Sequence, residues 1–159
     1  MSNADLQNVK AEWPPNIEKI KFHMGAEYTR QIEDFSVAVP VFTFYPYIYV
    51  PTGHELPYDL VAHETTHLRQ QEHMTPEVWW DKWLNDTTFR IEQEVEAYAN
   101  QLHAFDEAPA RIRRHMKEQL AADLSSAAYG SVIELAVAES RIRHAVKSLK
   151  YQENEKSTD

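Results

Sequence analysis

The sequence contains no cysteine and only 3 glycines in 159 residues. The absence of cysteine excludes disulfides and thiolate metal ligands, so a zinc site in this chain must be built from histidine and carboxylate. It is also compatible with a cytoplasmic location. Since glycine is scarce, long flexible linkers are not expected.

Long apolar runs are also missing. No stretch approaches the roughly 20 apolar residues that a membrane-spanning helix needs. The first ten residues, MSNADLQNVK, have no apolar segment following a basic start, so the pattern predicts no secretory signal. We therefore expect neither a membrane span nor a membrane partner.

Positive charge is in deficit, with 16 Lys and Arg against 25 Asp and Glu and a formal net charge of -9. An acidic chain is not expected to bind nucleic acid, because phosphate backbones repel it. Two basic stretches, residues 111–117 and 141–150, depart from this average. We interpret both as solvated helix faces.

Core-forming residues are present in ordinary amounts: the hydrophobic share is 43%, and there are 4 Trp, 8 Tyr and 6 Phe. This length and composition predict a single domain with one core, which we assign to residues 1–151. Residues 152–159 are polar, and we expect them to form a frayed tail.

The first half of the chain has the composition of strands and loops. Ile17–Phe22 is a candidate short strand, and residues 35–50 are rich in β-branched and aromatic residues, interrupted by Pro40 and Pro46. Pro51–Gly53 is typical of a turn.

The pattern of the remaining residues predicts about five helices. The first covers residues 57–73, the second begins at Pro76 with Thr75 as its N-cap, and the third runs from Asp86 or Thr87 to about Asp106. The fourth runs from Pro109 to Ser125 or Gly130, and the fifth begins at a capping box formed by Ser131 and Glu134. The expected fold class is therefore α+β, with a small N-terminal β-sheet followed by helices.

An H-E-x-x-H motif lies in the first of these helices, as His63, Glu64 and His67. On a helix the two histidines fall about 40° apart, one turn from each other, so their rings can converge on one metal ion. Glu64 lies about 100° from His63, where it can reach a water on the open side of the metal. The motif predicts a single zinc ion held by both histidines, with Glu64 as the general base.

A catalytic zinc needs a third protein ligand, and two residues are candidates. His73 has the spacing of a third histidine in H-E-x-x-H-x-x-G-x-x-H proteins, but Gln70 stands where those proteins have glycine. Without that break, His73 points about 120° away from His67. Glu94 lies about 60° from the centre of the apolar stripe of its own helix, closer than Glu92 or Glu96. Helix geometry favours Glu94.

H-E-x-x-H followed by Glu-x-x-Ala on a later helix resembles gluzincin-type metallopeptidases. The fuller pattern is similar to metallopeptidases encoded by phages and prophages, over about a third of the chain, from Tyr49 to Gln101. The residues that carry the resemblance are Ala62 to Gln70 with the motif, Trp80, Trp83, Phe89, Arg90, and Glu94 to Tyr98 with Ala97.

The resemblance implies a zincin-like core with a substrate-binding strand edge before the motif helix. It implies His63, His67 and Glu94 as zinc ligands and Glu64 as general base. Many gluzincins carry an acidic residue four positions after the ligand glutamate, where this chain has Tyr98. A phenol oxygen at this position can accept a hydrogen bond from a histidine ring, more weakly than a carboxylate does.

The predicted function is therefore zinc-dependent hydrolysis of peptide bonds in a peptide or protein substrate. Tyr98, Tyr129 and Arg90 are candidates for supporting a ligand or stabilising an oxyanion. The alternative is a non-catalytic zincin-like module of a phage, in which zinc stabilises a structural or interaction protein.

Overall fold

The computed structural model describes residues 8–35 and 39–158. Within these ranges the chain forms a three-stranded sheet and seven α-helices, so the predicted α+β class is confirmed. The elements in chain order are β1 (Val9–Lys10), α1 (Ile17–Met24), α2 (Ala26–Asp34), β2 (Phe42–Phe44), β3 (Tyr47–Tyr49), α3 (Tyr58–Glu72), α4 (Pro76–Asn85), α5 (Thr87–His103), α6 (Ala110–Leu124) and α7 (Leu135–Lys156).

The sheet has the strand order β1-β3-β2. Strand β1 is parallel to β3, with Val9 opposite Ile48, and β2 is antiparallel to β3, with Thr43 opposite Ile48. Pro40 and Pro46 lie outside the strands, as expected for residues that cannot donate a ladder hydrogen bond. The strands predicted in residues 35–50 are thus confirmed at Phe42–Phe44 and Tyr47–Tyr49. Residues 36–38 lie outside the described part of the chain.

The strand predicted at Ile17–Phe22 is wrong, because these residues form most of helix α1. A strand would place Ile20 and Phe22 on the same face. Instead Ile20 is 1% exposed and Phe22 is 85% exposed. Short apolar runs do not separate the two periodicities well, and here the helical spacing of Ile17 and Ile20 prevails.

The predicted limits of the middle helices agree with the structure to within a few residues. Thr75 caps α4, its hydroxyl accepting a hydrogen bond from the Val78 amide at 3.2 Å. Helix α6 follows Pro109 and stops at Leu124, the earlier of its two expected ends. Gly53 has φ +73 in the turn predicted at Pro51–Gly53, and its amide bonds to the Val50 carbonyl.

Both predictions for the last helix need correction. The capping box is wrong: α7 begins at Leu135, Glu134 takes the N-cap position without a side-chain hydrogen bond, and Ser131 has φ 51 in the preceding turn. The tail expected to fray from Gln152 is helical to Lys156. Glutamate, glutamine and lysine are good helix formers, which explains the extension.

Contacts between Cα atoms divide the chain into two compact units. One comprises the described residues up to Pro57 together with His67–Asp86. Its core contains the sheet and three tryptophans, Trp79, Trp80 and Trp83, each 7% exposed or less. The indole of Trp80 and the amide of the buried Gln71 both donate to the Thr43 carbonyl at 2.9 Å, which ties α3 and α4 to β2.

The second unit comprises Tyr58–Thr66 and the described residues from Thr87 onward. Helices α5, α6 and α7 pack around one apolar cluster. Its buried members are Ile91, Val95, Tyr98, Leu102, Leu120, Ala121, Leu124, Ala138 and Ile142. No described helix is both long and apolar enough to cross a bilayer. The single domain expected for residues 1–151 stays a prediction.

Candidate metal centre

The H-E-x-x-H motif lies in the middle of α3, as predicted. His63, Glu64 and His67 are 5%, 6% and 5% exposed. Ionisable groups are seldom buried to this extent without a partner, because burial removes the water that solvates them. The motif is therefore part of the interior of the protein.

Glu94, on α5, is the residue that joins the two histidines. One ligand atom from each of His63, His67 and Glu94 lies within 4.8 Å of the others. Glu94 is 3% exposed, and its Oε2 atom lies 3.3 Å from His63 Nε2. Glu92 and Glu96, on the same helix, are exposed. The three side chains that the sequence predicts as ligands are thus brought together and could hold a metal ion.

His73, the other candidate for a third ligand, is not in this group. It is exposed and takes the C-cap position of α3. The helix continues past Gln70 to Glu72 without the break that glycine provides in longer histidine motifs. The side chain of His73 consequently leaves the face that carries His63 and His67.

A hydrogen-bonded chain of three side chains orients His63. Gln101 Nε2 donates to Asp59 Oδ2 at 2.9 Å, and Gln101 Oε1 lies 3.0 Å from His63 Nδ1. A carboxylate can only accept, so the NH2 group of Gln101 must face Asp59 and its carbonyl oxygen must face the ring. His63 Nδ1 therefore carries the proton, and in the neutral ring the lone pair is on Nε2, the atom near Glu94.

His67 is held within its own helix. Its Nδ1 atom lies 2.8 Å from Oε1 of Gln70, three residues further along α3. The edge of its ring meets Trp79 at a centroid distance of 5.1 Å. With Nδ1 donating to Gln70, the Nε2 lone pair of His67 is also available to a metal.

Tyr98 does not take the role expected from its position after Glu94. Its ring packs edge-on against His63 at 4.7 Å, while its hydroxyl hydrogen-bonds the hydroxyl of Tyr129 at 2.8 Å. Gln101 occupies the position of the acceptor on His63 Nδ1. Burial, with the charge of Glu94 adding to it, raises the pKa of both tyrosines well above the ordinary value. Both are therefore neutral phenols at physiological pH.

Arg90 supports this tyrosine pair. It is 9% exposed, and its Nη1 atom donates to the Tyr129 carbonyl at 3.1 Å. Burial lowers the pKa of Arg90, and the charge of Glu94 acts in the opposite direction. Of the three expected supporting residues, only Tyr98 thus contacts His63 directly. Tyr129 is hydrogen-bonded to Tyr98, and Arg90 is hydrogen-bonded to Tyr129.

Sequence reasoning missed Asp59, and it missed Gln70 and Gln101 as partners of the histidines. Their positions carried a signal nonetheless. Asp59 precedes His63 by four residues, and Gln101 follows Glu94 by seven, so each lies on the same helix face as its ligand. Polar residues repeating along the face of a predicted ligand are thus candidates for the groups that orient it.

Comparison with known proteins adds no relative: no family model, no curated protein and no solved structure matches this chain.

Proposed function

We propose that this protein is a zinc-dependent hydrolase of peptide bonds. The observation that carries the proposal is the convergence of His63, His67 and Glu94 within 4.8 Å, with the buried Glu64 next to His63 on the same helix. Two imidazoles and one carboxylate are a ligand set that catalytic zinc uses.

The donor set fits zinc in two further respects. The Nδ1 atoms of both histidines are engaged by glutamine oxygens, which leaves the Nε2 lone pairs for a metal. The group contains three residues of the described chain, and three protein ligands leave one of the four tetrahedral positions open. An open position is typical of catalytic zinc, whereas structural zinc has four protein ligands.

When bound, zinc supplies Lewis acidity, which polarises a substrate carbonyl and makes water more acidic. The chain's own residues do the rest. The carboxylate of Glu64 accepts a proton from the attacking water and returns it to the leaving amine nitrogen. The hydroxyls of Tyr98 and Tyr129 share one hydrogen bond, so the phenol that accepts in this pair keeps its O–H as the candidate donor to the developing oxyanion.

The test compares the wild type with Glu64→Gln and with Glu72→Gln, an exposed glutamate on the same helix. Fluorescein-labelled casein and a mixed peptide library are the substrates. Glu64→Gln should keep one zinc per chain and lose roughly 100- to 10,000-fold in rate, since it cannot accept the proton. Glu72→Gln should match the wild type. Cleavage by Glu64→Gln at the wild-type rate would rule out this mechanism.

A second candidate is a non-catalytic module in which the metal stabilises the fold. The burial of all four residues, at 6% exposure or less, favours it, because metal binding to a buried site contributes directly to folding. On this account, chelation lowers the melting temperature of a protein that cleaves neither substrate. Hydrolysis that is lost in Glu64→Gln and kept in Glu72→Gln would exclude it.

A further inference from the structure

Six basic side chains line one pocket on the face where α6 and α7 meet the end of α5. The pocket encloses about 320 Å³. Helix α6 contributes Arg113, Arg114 and Lys117, and helix α7 contributes Arg143, Lys147 and Lys150. All six lie in the two basic stretches that the sequence suggested were merely solvated.

This concentration of charge is unusual for the chain. The protein carries a net charge of -9 with 16 basic residues in all, yet six of them line this pocket with one acidic residue, Asp106. Like charges three or four residues apart on a helix destabilise it. Such spacing occurs within each group of three, so the arrangement has an energetic cost that an anion would offset.

Internal partners neutralise only part of this charge. Lys150 pairs with Asp106 at 2.6 Å, and Lys117 lies 3.5 Å from Glu139. Arg113 donates to the backbone carbonyls of Asp106 and Ala108. For the other three, Arg114, Arg143 and Lys147, the described chain provides no ion-pair partner within 4.0 Å. Two guanidinium groups and one ammonium thus remain available to a ligand.

The shape of the pocket indicates the size of that ligand. The apolar side chains of Leu102 and Val146 also line the pocket, and its volume is at the lower end of the range for small-molecule sites. A nucleic-acid surface would instead need a basic track that follows the phosphate backbone. Guanidinium groups bind phosphate oxygens in pairs, which makes phosphate the matching anion.

We propose that this pocket binds a compact anion with two or more linked phosphates on a small organic group, such as a nucleoside di- or triphosphate. The phosphates contact Arg114, Arg143 and Lys147, and the organic group lies on Leu102 and Val146. The proposal is independent of the metal centre and of any hydrolytic activity.

The test is titration calorimetry on the full-length protein as purified, with the pocket variants separating binding in the basic pocket from binding at the metal centre. The probes are ATP, sodium tripolyphosphate and a 20-nucleotide single-stranded DNA. ATP and tripolyphosphate should bind one per chain, and ATP more tightly because of the apolar surface. Arg143→Ala and Arg114→Ala should each raise the Kd about tenfold, the effect of one lost charged hydrogen bond.

Arg111→Ala and Arg141→Ala are the matched controls, since both arginines are exposed on α6 and α7 and neither lines the pocket. They should change the Kd less than twofold. The proposal fails if neither ATP nor tripolyphosphate binds at 1 mM, or if the control variants weaken binding as much as the pocket variants. Tighter binding of the DNA than of ATP would also overturn it, in favour of a nucleic-acid surface.

Discussion

His63 and His67 belong to one helix and one motif, but different parts of the chain orient them. The Nδ1 atom of His63 donates to Gln101 on α5, and Gln101 is fixed in turn by Asp59. The Nδ1 atom of His67 meets Gln70 within α3 itself. The phenol ring of Tyr98 packs against the imidazole of His63, and the indole of Trp79 packs against that of His67.

The two histidines illustrate two ways in which a protein can fix the orientation and the tautomer of an imidazole ring. Gln70 is three residues from His67, so forming α3 brings the two together without any tertiary contact. Gln101 reaches His63 only once α5 has packed, and the carboxylate of Asp59 then decides which end of the amide faces the ring. The orientation of His63 therefore depends on the fold of its unit, and that of His67 on one helix.

The largest effect on metal affinity is expected at the long-range contact. Gln101→Leu should weaken zinc binding by about 10- to 100-fold, the usual range for losing a group that orients a ligand. Gln70→Leu should weaken it less, because the helix still positions His67. Competition with a chromophoric zinc chelator measures both constants.

Gln101→Glu is the control for this comparison, since it keeps an acceptor oxygen for His63 Nδ1 and loses only the donor to Asp59. It should retain more zinc affinity than Gln101→Leu. Equal losses in Gln101→Leu and Gln70→Leu would contradict the distinction between the two histidines.

A smaller loss of zinc affinity is expected for Asp59→Asn, which removes the carboxylate that fixes the direction of the hydrogen bonds from Asp59 through Gln101 to His63. Asparagine can donate as well as accept, so the Gln101 amide can turn and offer its NH2 group to His63. The proton on His63 should then move from Nδ1 to Nε2 in part of the population, with a loss in zinc affinity below about tenfold. Nitrogen-15 NMR of the metal-free protein reports both histidine tautomers.

His67 is the internal reference in the same spectra, and its tautomer should not change. If the proton is already on His63 Nε2 in the wild type, the proposed direction of the hydrogen bonds from Asp59 through Gln101 to His63 is wrong.

The smallest expected effect is on the stability of the fold at high pH, and it arises from the buried tyrosines Tyr98 and Tyr129. The pKa values of Tyr98 and Tyr129 are raised well above the ordinary 10.0, chiefly by burial. Below pH 10 both tyrosines are protonated whether the chain is folded or unfolded, so their contribution to stability is complete. Above it the unfolded chain ionises first, so the free energy of unfolding falls as the pH rises. Trp79, which packs against His67, does not ionise and adds no pH dependence to the free energy of unfolding.

Thermal melts between pH 8 and pH 11 check this expectation. Tyr129→Phe should flatten the fall of the melting temperature with pH, relative to Tyr151→Phe, which alters a 66% exposed tyrosine on α7. An equal slope in the two variants would show that the buried pair does not cause the dependence.

Local signals in the sequence were sufficient to select the three residues that the structure brings together as a candidate metal group, and to place several helix limits. The H-E-x-x-H spacing placed His63 and His67 one turn apart, and the apolar stripe of α5 separated the buried Glu94 from the exposed Glu92 and Glu96. Thr75 and the proline after it marked the start of α4. Each of these signals acts within about four residues, which is the range that helical geometry controls.

Features that depend on distant contacts were not predictable in the same way. The chain linking Asp59, Gln101 and His63 spans 42 residues of sequence. The short apolar run of helix α1 fits either a strand or a helix period, and only the burial of Ile20 together with the exposure of Phe22 decides for the helix. The basic pocket likewise exists only because α6 and α7 pack together.

The central claim is that His63, His67 and Glu94 hold one metal ion. The most direct test is the zinc content of the purified protein, measured by mass spectrometry for the wild type, Glu94→Ala and His73→Ala. We predict one zinc per chain in the wild type and in His73→Ala, and none in Glu94→Ala at the same free zinc concentration. A wild type without zinc, or a Glu94→Ala variant that keeps a full equivalent, would contradict the claim.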